Sequence, residues 1–276
     1  MVDRLATLLS HFSVSAHTFH TGTLCGSNAL GVREPYGQLH LIRGGKVEVR
    51  HGSRKAWRIT EPSLLLYPRP MAHRFITDKQ RGANFLCADV MFEGGPANPI
   101  AAALPAVVCM PLAQVPACEA VLQALFDEAG SANCGRQAML DRLFEVVIIH
   151  VLRELMEQQQ VRVGMLAGLA HQQLRRAIVA MHQAPEQDWS LELLAEQAGM
   201  SRTSFATTFR DTVGQTPGAY LQRWRIGLAQ KFLRQGHSLK TIAAQVGYGT
   251  EAALSRAFRA QTGSSPREWR KEAQAL

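Results

Sequence analysis

The sequence predicts an α+β protein of two domains: an antiparallel β domain followed by helices, and then an all-helical domain built from two helix-turn-helix units. Three observations predict this fold class. From about Phe19 to Val108 short apolar runs alternate with Gly and Pro, which is typical of strands and turns. From Val115 onward apolar residues recur at steps of three and four, which is the helical period. The pattern that starts at Ser190 returns at Ser238, so the second domain contains a duplicated unit.

The first domain is expected to be a small barrel or a sandwich of antiparallel strands. LHLIRGGKVEVR, residues 39–50, alternates and turns at Gly44-Gly45, which predicts a β-hairpin. SLLLYPRPMAHRF, residues 63–75, predicts a strand, a proline-containing turn and the start of another strand. NFLCADVMF, residues 84–92, predicts a third clear strand.

A helical segment follows the predicted strands. It carries an apolar stripe at Leu140, Leu143/Phe144, Val147, Val151 and Leu155. This stripe suits packing against the β domain and equally suits the seam of a homodimer, and both can hold. The periodicity weakens after it, which predicts a linker. The expected boundaries are 1–112 for the β domain, 113–160 for the dimer-forming helical segment, 161–173 for the linker and 174–276 for the repeat domain.

Each copy of the repeat contains the parts that a helix-turn-helix unit requires. Ser201 suits the N-cap of the second helix in the first copy, and either Thr250 or Gly249 takes that place in the second. A long helix over about residues 217–234 is expected to join the copies. Glycines follow the helices where a left-handed residue ends a helix at little cost. These glycines are Gly199, Gly214, Gly247 and Gly263.

The charge of the chain is concentrated on the repeat. Residues 201–276 contain 12 Lys and Arg against 4 Asp and Glu, a net charge of +8, whereas residues 1–200 contain 18 of each. A basic domain of this kind suggests a polyanionic partner. Together with the duplicated unit it predicts binding to double-stranded DNA, with the two copies in successive major grooves about 34 Å apart.

The outward positions of the two recognition helices are the candidate DNA contacts. They are Arg202, Thr203, Ala206, Thr207 and Arg210 in the first copy, and Glu251, Ala252, Ser255, Arg256 and Arg259 in the second. Arg256 is the best candidate for a guanine contact, and Thr203 and Thr207 suit thymine methyl groups. Contacts to phosphate are expected from Arg202, Arg210, Arg223, Arg225, Lys240, Arg259 and Arg267.

These residues resemble the AraC/XylS family of bacterial transcription regulators. The resemblance covers roughly residues 174–269 and includes WSLELLAEQAGMSRTSFATTFRDTVGQTPGAYLQRWR. It departs from the family pattern at Thr250 and Leu254, where members often have Ser and Phe. It implies a sequence-specific regulator, either activator or repressor, that works as a homodimer, contacts RNA polymerase and is controlled by an effector.

The β domain is similar to the cupin-type sensor domains of the same family, on LHLIRGGKVEV and LLLYPRPMAHRF. That resemblance implies a response to a small molecule, a metal ion or a reactive species. His40 and His73 stand where metal cupins place ligands, and Gln38 replaces a further histidine, so the enzyme-type metal set is incomplete. Cys25 and Cys87 could instead complete a site of His and Cys ligands. Cys25 and Cys87 are the candidates for a redox-sensing pair. Ordinary buried histidines and core cysteines are the alternatives.

The sequence also bears on two other function classes. A cupin metalloenzyme would need a complete set of three or four ligands, so no enzymatic activity is expected. An architectural DNA-binding protein would have a β domain filled by its own side chains. We expect no export signal, and no apolar run reaches the roughly 18 residues that span a bilayer. Its five cysteines include no CxxC, so reduced thiols in the cytoplasm are expected.

Overall fold

The computed structural model describes residues 3–53, 55–95, 98–158 and 163–274, which form two compact units. The β unit contains described residues 13–95 and 100–158. The helical unit contains described residues 3–12, 98–99 and 163–274. Across those ranges, no helix combines the length and the apolar character that crossing a bilayer requires.

The β unit is built from antiparallel strands in two sheets, which confirms the predicted fold class. One sheet has five strands in the order β1-β8-β3-β6-β9, and the other has four in the order β2-β7-β4-β5. The strands in the described residues are β1 (Val14–Leu24), β2 (Ser27–Leu30), β3 (Gly37–Gly44), β4 (Val47–Arg50), β5 (Trp57–Ile59), β6 (Ser63–Tyr67), β7 (His73–Thr77), β8 (Ala83–Phe92) and β9 (Val108–Pro111).

The hairpin predicted over residues 39–50 is wrong. β3 pairs with β6 and β8, whereas β4 pairs with β5 and β7 in the other sheet. The register of β3 shifts between Ile42 and Gly44, and Gly45 follows with a φ of 99°. A bulge followed by a left-handed glycine bends the chain sharply. The two glycines therefore form a corner between sheets, not a turn within one sheet.

The core of the β unit lies between the two sheets. Strands of both sheets contribute buried side chains to a single cluster. The members from the five-stranded sheet include Ile42, Leu65, Tyr67, Phe85 and Cys87, and those from the four-stranded sheet are Val47, Val49, Ile59 and Phe75. The alternation of apolar and polar residues that predicted strands therefore arises because every second residue of both sheets faces this common core.

The α-helices in the described residues of the β unit are α2 (Pro99–Ala103), whose first residue groups with the helical unit, α3 (Glu119–Ala129) and α4 (Arg136–Glu157). α4 packs against α3 and against the edge strand β1. Its predicted apolar stripe is buried at Leu140, Phe144, Val147, Val151 and Leu155, whereas Leu143 is only half-buried. Asp141 accepts a hydrogen bond of 2.7 Å from the Thr18 N–H, so α4 covers backbone that an edge strand would otherwise expose. Another side of α4 leaves Met139 and Val146 exposed at 54% and 37%.

The helical unit contains α1 (Ala6–His11), α5 (Met165–Ala170), α6 (Leu174–Gln183), α7 (Leu191–Ala198), α8 (Arg202–Val213), α9 (Pro217–Arg234), α10 (Leu239–Gln245), α11 (Glu251–Thr262) and α12 (Pro266–Gln274). α7 with α8 and α10 with α11 are the two helix-turn-helix pairs, as predicted. Helix α9 runs between them.

The structure differs from the sequence-based domain boundaries at two places. Residues 161 and 162 of the expected linker lie outside the described residues, but α5 within it is buried against α6 and α8. Gly168 allows α5 to approach α6 closely, since a Cβ at this position would lie 2.5 Å from Ile178 Cδ1 of α6. The first residues, expected in the β domain, belong to the helical unit. There Phe12 meets Trp224 edge to face, with ring centroids 5.2 Å apart.

An aromatic stack holds α6 to α9 beside the first helix-turn-helix pair. The His182 imidazole stacks on Trp224 with ring centroids 3.7 Å apart, and its Nε2 lies 2.6 Å from the Tyr220 hydroxyl. Tyr220 also meets Phe209 of α8. Burial lowers the pKa of His182 from 6.5 to about 3. The imidazole is therefore neutral when this stack forms.

We expect His182 to make the stability of the helical unit depend on pH. Because its folded pKa is depressed, the unfolded chain takes up the proton first as the pH falls. The contribution is complete above about pH 6.5 and is lost as the pH falls toward 3. Between pH 7 and pH 5 the wild type should lose about 2 kcal/mol more unfolding free energy than His182→Phe. Urea unfolding followed by tryptophan fluorescence measures this, and equal losses in the two proteins would contradict it.

Candidate nucleic-acid interface

Side-chain caps and left-handed glycines set the ends of the first helix-turn-helix pair. Ser190 Oγ accepts the Leu193 N–H at 3.1 Å to begin α7, and Gly199 ends it at a φ of 65°. Ser201 Oγ accepts the Ser204 N–H at 3.3 Å to begin α8. Gly214 ends α8 at a φ of 79°. Each cap satisfies a helix-end N–H that has no partner within the helix, so the turn is set locally.

The second pair repeats this arrangement. Ser238 caps α10, and Gly247 follows it at a φ of 77°. Of the two alternatives for the cap of α11, the structure has Thr250, whose Oγ1 accepts the Ala253 N–H at 3.1 Å. Gly263 ends α11 at a φ of 83°. The departure from Ser at residue 250 therefore keeps the cap.

Helix α9 is the rod between the two pairs. Thr216 Oγ1 caps it by accepting the Ala219 N–H at 3.3 Å, and Pro217 occupies its first turn. With 18 residues at 1.5 Å each, α9 is about 27 Å long. That length is of the order of one turn of B-form DNA, about 34 Å. A connector of this size suits two recognition helices that reach neighbouring major grooves.

The outward face of α8 carries the side chains that the sequence placed there. Arg202, Thr203, Thr207 and Arg210 are exposed, and Ala206 is half-buried. Phe205 and Phe209 are buried on the opposite side. Arg202 Nε lies 3.0 Å from Glu192 Oε1 of α7, and both side chains are more than half exposed. A solvated pair of this kind is weak, so Arg202 can exchange Glu192 for a phosphate.

The outward face of α11 is more strongly polar. Glu251, Ala252, Arg256 and Arg259 are exposed, and Ser255 is half-buried. Leu254 and Phe258 face the core. This face therefore presents two guanidinium groups and one carboxylate, all of which can hydrogen-bond to base edges or phosphate.

Two arginines of α9 that were both predicted to contact phosphate are in different environments. Arg223 is exposed, as a phosphate contact should be. Arg225 is half-buried and donates to two backbone carbonyls, from Nε to Pro185 at 2.7 Å and from Nη2 to Gln187 at 2.8 Å. Burial lowers the pKa of Arg225. Contact with phosphate stays a prediction for Arg223, whereas the fork of Arg225 is engaged inside the protein.

The predicted inward histidines of the β unit meet directly. His40 and His73 are buried, and their Nε2 atoms lie 3.0 Å apart. Burial lowers the pKa of His73 to about 4 and that of His40 well below its ordinary value. One neutral ring therefore donates to the other. In the described residues no group of three or more His, Cys, Asp and Glu could hold a metal ion. The residues present do not fit the metal set that the cupin resemblance implied.

Aromatic side chains surround this histidine pair, which was not predicted from the sequence. Tyr67 stacks on His73 with ring centroids 4.0 Å apart, and its hydroxyl lies 2.8 Å from His51 Nε2. Phe75 meets His40 edge to face at 4.9 Å. The inward-facing residues of LLLY and HRF could have indicated aromatic neighbours for the histidines, but the sequence does not show which strands face each other.

The two cysteines of the predicted redox pair lie apart. Cys25 is exposed, whereas Cys87 is 1% exposed and burial raises its pKa. His20 is opposite Cys87 in the β1–β8 pairing, and Leu24 is opposite Ala83. Cys25 is thus about five residues along β1 from Cys87, roughly 15 Å. A disulfide needs Cα atoms within about 7 Å, so this conformation does not permit one between them.

The comparisons with known proteins match both parts of the chain. A family model described as Cupin matches residues 3–157, and one described as Helix-turn-helix domain matches residues 194–272. A Streptomyces lividans protein named as an AraC-like transcription regulator is 39% identical over 173 residues, which is 61% of this chain and 57% of that protein. The HTH-type transcriptional regulator AlkR of Acinetobacter baylyi is 38% identical over 139 residues, 50% of this chain and 45% of its own.

This chain thus spans about half the length of the curated relatives it matches. Among solved structures, the DNA-binding domain of AdpA in complex with a target DNA is 33% identical, with a TM-score of 0.36. The match covers 38% of this chain and 96% of that one.

We predict unequal reactivity of the two cysteines. In the folded protein Cys25 should be alkylated more than about tenfold faster than Cys87, because only Cys25 is exposed and burial disfavours the Cys87 thiolate. Timed iodoacetamide labelling with peptide mass spectrometry measures both rates. Cys25→Ser should remove one fast-reacting thiol and Cys87→Ser none. Comparable rates at the two positions would show that the strand opens readily.

Proposed function

The chain belongs to the AraC family of transcription regulators and has an N-terminal cupin domain, and from this premise we propose that it binds promoter DNA through both helix-turn-helix pairs and changes its occupancy in response to a signal received by the β unit. One observation carries the proposal. Two separately capped recognition helices, α8 and α11, keep outward faces exposed on either side of one continuous helix.

The two recognition helices are proposed to read DNA differently. Arg256 on α11 has the long planar fork that pairs with guanine O6 and N7. Thr203 and Thr207 on α8 are short and reach only thymine methyl groups or the groove wall. The second pair is therefore the stronger reader of base edges, and the first depends more on the shape and deformability of its half-site.

Dimerisation through α4 is part of the proposal. Leu143, Val146 and His150 share a side of this helix with Met139, and each is exposed or half-buried. These positions repeat at steps of three and four, as in the seam of paired helices. Met139, Leu143 and Val146 make this exposed side largely apolar, which supports a homodimer in addition to the buried stripe that packs inside the β unit.

The β unit is proposed to receive the signal. One candidate site is the neutral His40–His73 pair, where a small molecule would have to replace the hydrogen bond between the two rings. The other is the exposed Cys25, which an oxidant can reach directly. The incomplete ligand set favours a small molecule or an oxidant over a metal ion. The signal would then shift the balance between states that differ in DNA affinity or in contact with RNA polymerase.

We predict opposite signatures for two arginine variants. Arg256→Ala should reduce discrimination between the selected DNA sequence and random DNA by about tenfold to a hundredfold, because a base contact is lost. Arg223→Ala should weaken binding to both DNAs alike and reduce the slope of log affinity against log salt by about one. Fluorescence anisotropy with DNA selected from a random library, repeated over a salt series, measures both effects.

The two variants serve as controls for each other, since each removes one exposed guanidinium from the same unit. An equal loss on selected and random DNA for Arg256→Ala would reverse the assignment. Failure of the wild type to enrich any sequence would remove the proposed function itself.

We also predict that charge on the outer side of α4 dissociates the dimer. Val146→Glu should convert the dimer to a monomer at micromolar concentration, because a carboxylate would be buried without a partner. Val32→Glu is the matched control, since Val32 is also exposed, at 54%, but belongs to the segment between β2 and β3. Sedimentation velocity measures the masses. A wild-type monomer, or a dimeric Val146→Glu, would contradict dimerisation through this side.

A further inference from the structure

The side chain of Arg225 lies between the two helix-turn-helix pairs. On one side its guanidinium donates to the Pro185 and Gln187 carbonyls, as described above. These carbonyls belong to the turn between α6 and Ser190, the residue that caps α7. Arg225 therefore ties the middle of α9 to the entrance of the first pair.

On its other side the same guanidinium lies against the second pair. A Cβ added to Gly247 would come within 2.7 Å of Arg225 Nη2 and 2.9 Å of its Cζ. The Tyr248 ring centre is 5.8 Å from Arg225 Cζ. Gly247 and Tyr248 form the turn between α10 and α11. The fork thus touches the turn that sets the direction of the second recognition helix.

The two pairs also meet each other at this point. The same Cβ on Gly247 would lie 2.9 Å from Glu186 Cα. The turn before the first pair and the turn within the second pair are therefore in direct backbone contact, with Arg225 beside it. A contact this close tolerates glycine and little else, since real Cβ atoms need more room.

The charges around Arg225 also suit an internal role. Glu186 and Asp188 lie near enough to favour its charged form, against the burial that opposes it. Two carboxylates beside a guanidinium reduce its attraction for phosphate. A lysine could not replace it, because only the planar fork donates to two carbonyls in fixed directions.

We propose that Arg225 is a positioning residue that, with Gly247, sets the orientation of the two helix-turn-helix pairs and so the spacing of the two half-sites that the protein accepts. This inference rests on the proposed DNA binding. The ligand it specifies is double-stranded DNA with two short sequence blocks at one fixed separation. Arg225 touches no DNA in this role and acts through the two turns.

The test is selection from a random double-stranded DNA library with the full-length protein. The wild type should enrich two sequence blocks at a single spacing. Arg225→Ala, Arg225→Lys and Gly247→Ala should enrich the same two blocks spread over several spacings. Their affinity for the wild-type spacing should fall by about tenfold as simultaneous engagement is lost. Unfolded molecules enrich nothing, so a variant's spread of spacings reports only on its folded fraction.

A matched control separates this role from backbone strain. Gly263→Ala places a Cβ at a φ of +83°, close to the +77° of Gly247, but into open space. It should keep the single spacing. A single wild-type spacing in both Arg225→Lys and Gly247→Ala, or an unchanged spacing with a smaller salt slope in Arg225→Ala, would overturn the inference. A wild type that enriches only one block would overturn it too, whereas one that enriches no block would remove the proposed function.

Discussion

The arrangement of the helical unit depends on one constraint: α9 is a single unbroken helix shared by both helix-turn-helix pairs. Near its start Tyr220 meets Phe209 of α8. Helix α9 also packs against α10 and α11 of the second pair. Because side-chain directions along a continuous helix are set by its 3.6-residue period, neither pair can rotate without disturbing the contacts of α9 with that pair or breaking the hydrogen bonds of the rod. The continuous helix thus limits how the pairs can turn, and the contacts of Arg225 act within that limit.

The features that could be predicted from the sequence are those whose causes lie within a few residues. Ser190 and Thr216 each cap a helix by accepting a hydrogen bond from an N–H three positions away. Gly214 ends α8 because it adopts a left-handed φ. The caps, the ends of α9 and the exposed faces of α8 and α11 follow from such local rules. The fold class followed as well, because apolar periodicity reflects which side of each element is buried.

The features that could not be predicted depend on partners far away in the chain. The residues of β3 and β4 alternate as a hairpin would, and only β6, β7 and β8 decide that they enter different sheets. Arg225 is indistinguishable from Arg223 in sequence, yet its partners lie about forty positions upstream and twenty downstream, at residues 185–187 and 247. The pairing of His40 with His73 is also a long-range feature. Periodicity predicts that His40 faces inward, but it does not indicate that His73 of the other sheet is its partner.

The basic excess of residues 201–276 overstates the charge available to a polyanion. Besides Arg225, Arg270 donates to the His237 carbonyl and Lys231 donates to that of Ser10 at 3.2 Å. These cations satisfy backbone carbonyls and hold segments of the unit together. Counterion release depends on the cations that reach phosphate, so the exposed Arg210, Arg223 and Arg259 matter more than the net charge. Composition therefore indicates the class of partner, whereas the hydrogen bonds within the unit decide how many charges remain to bind it.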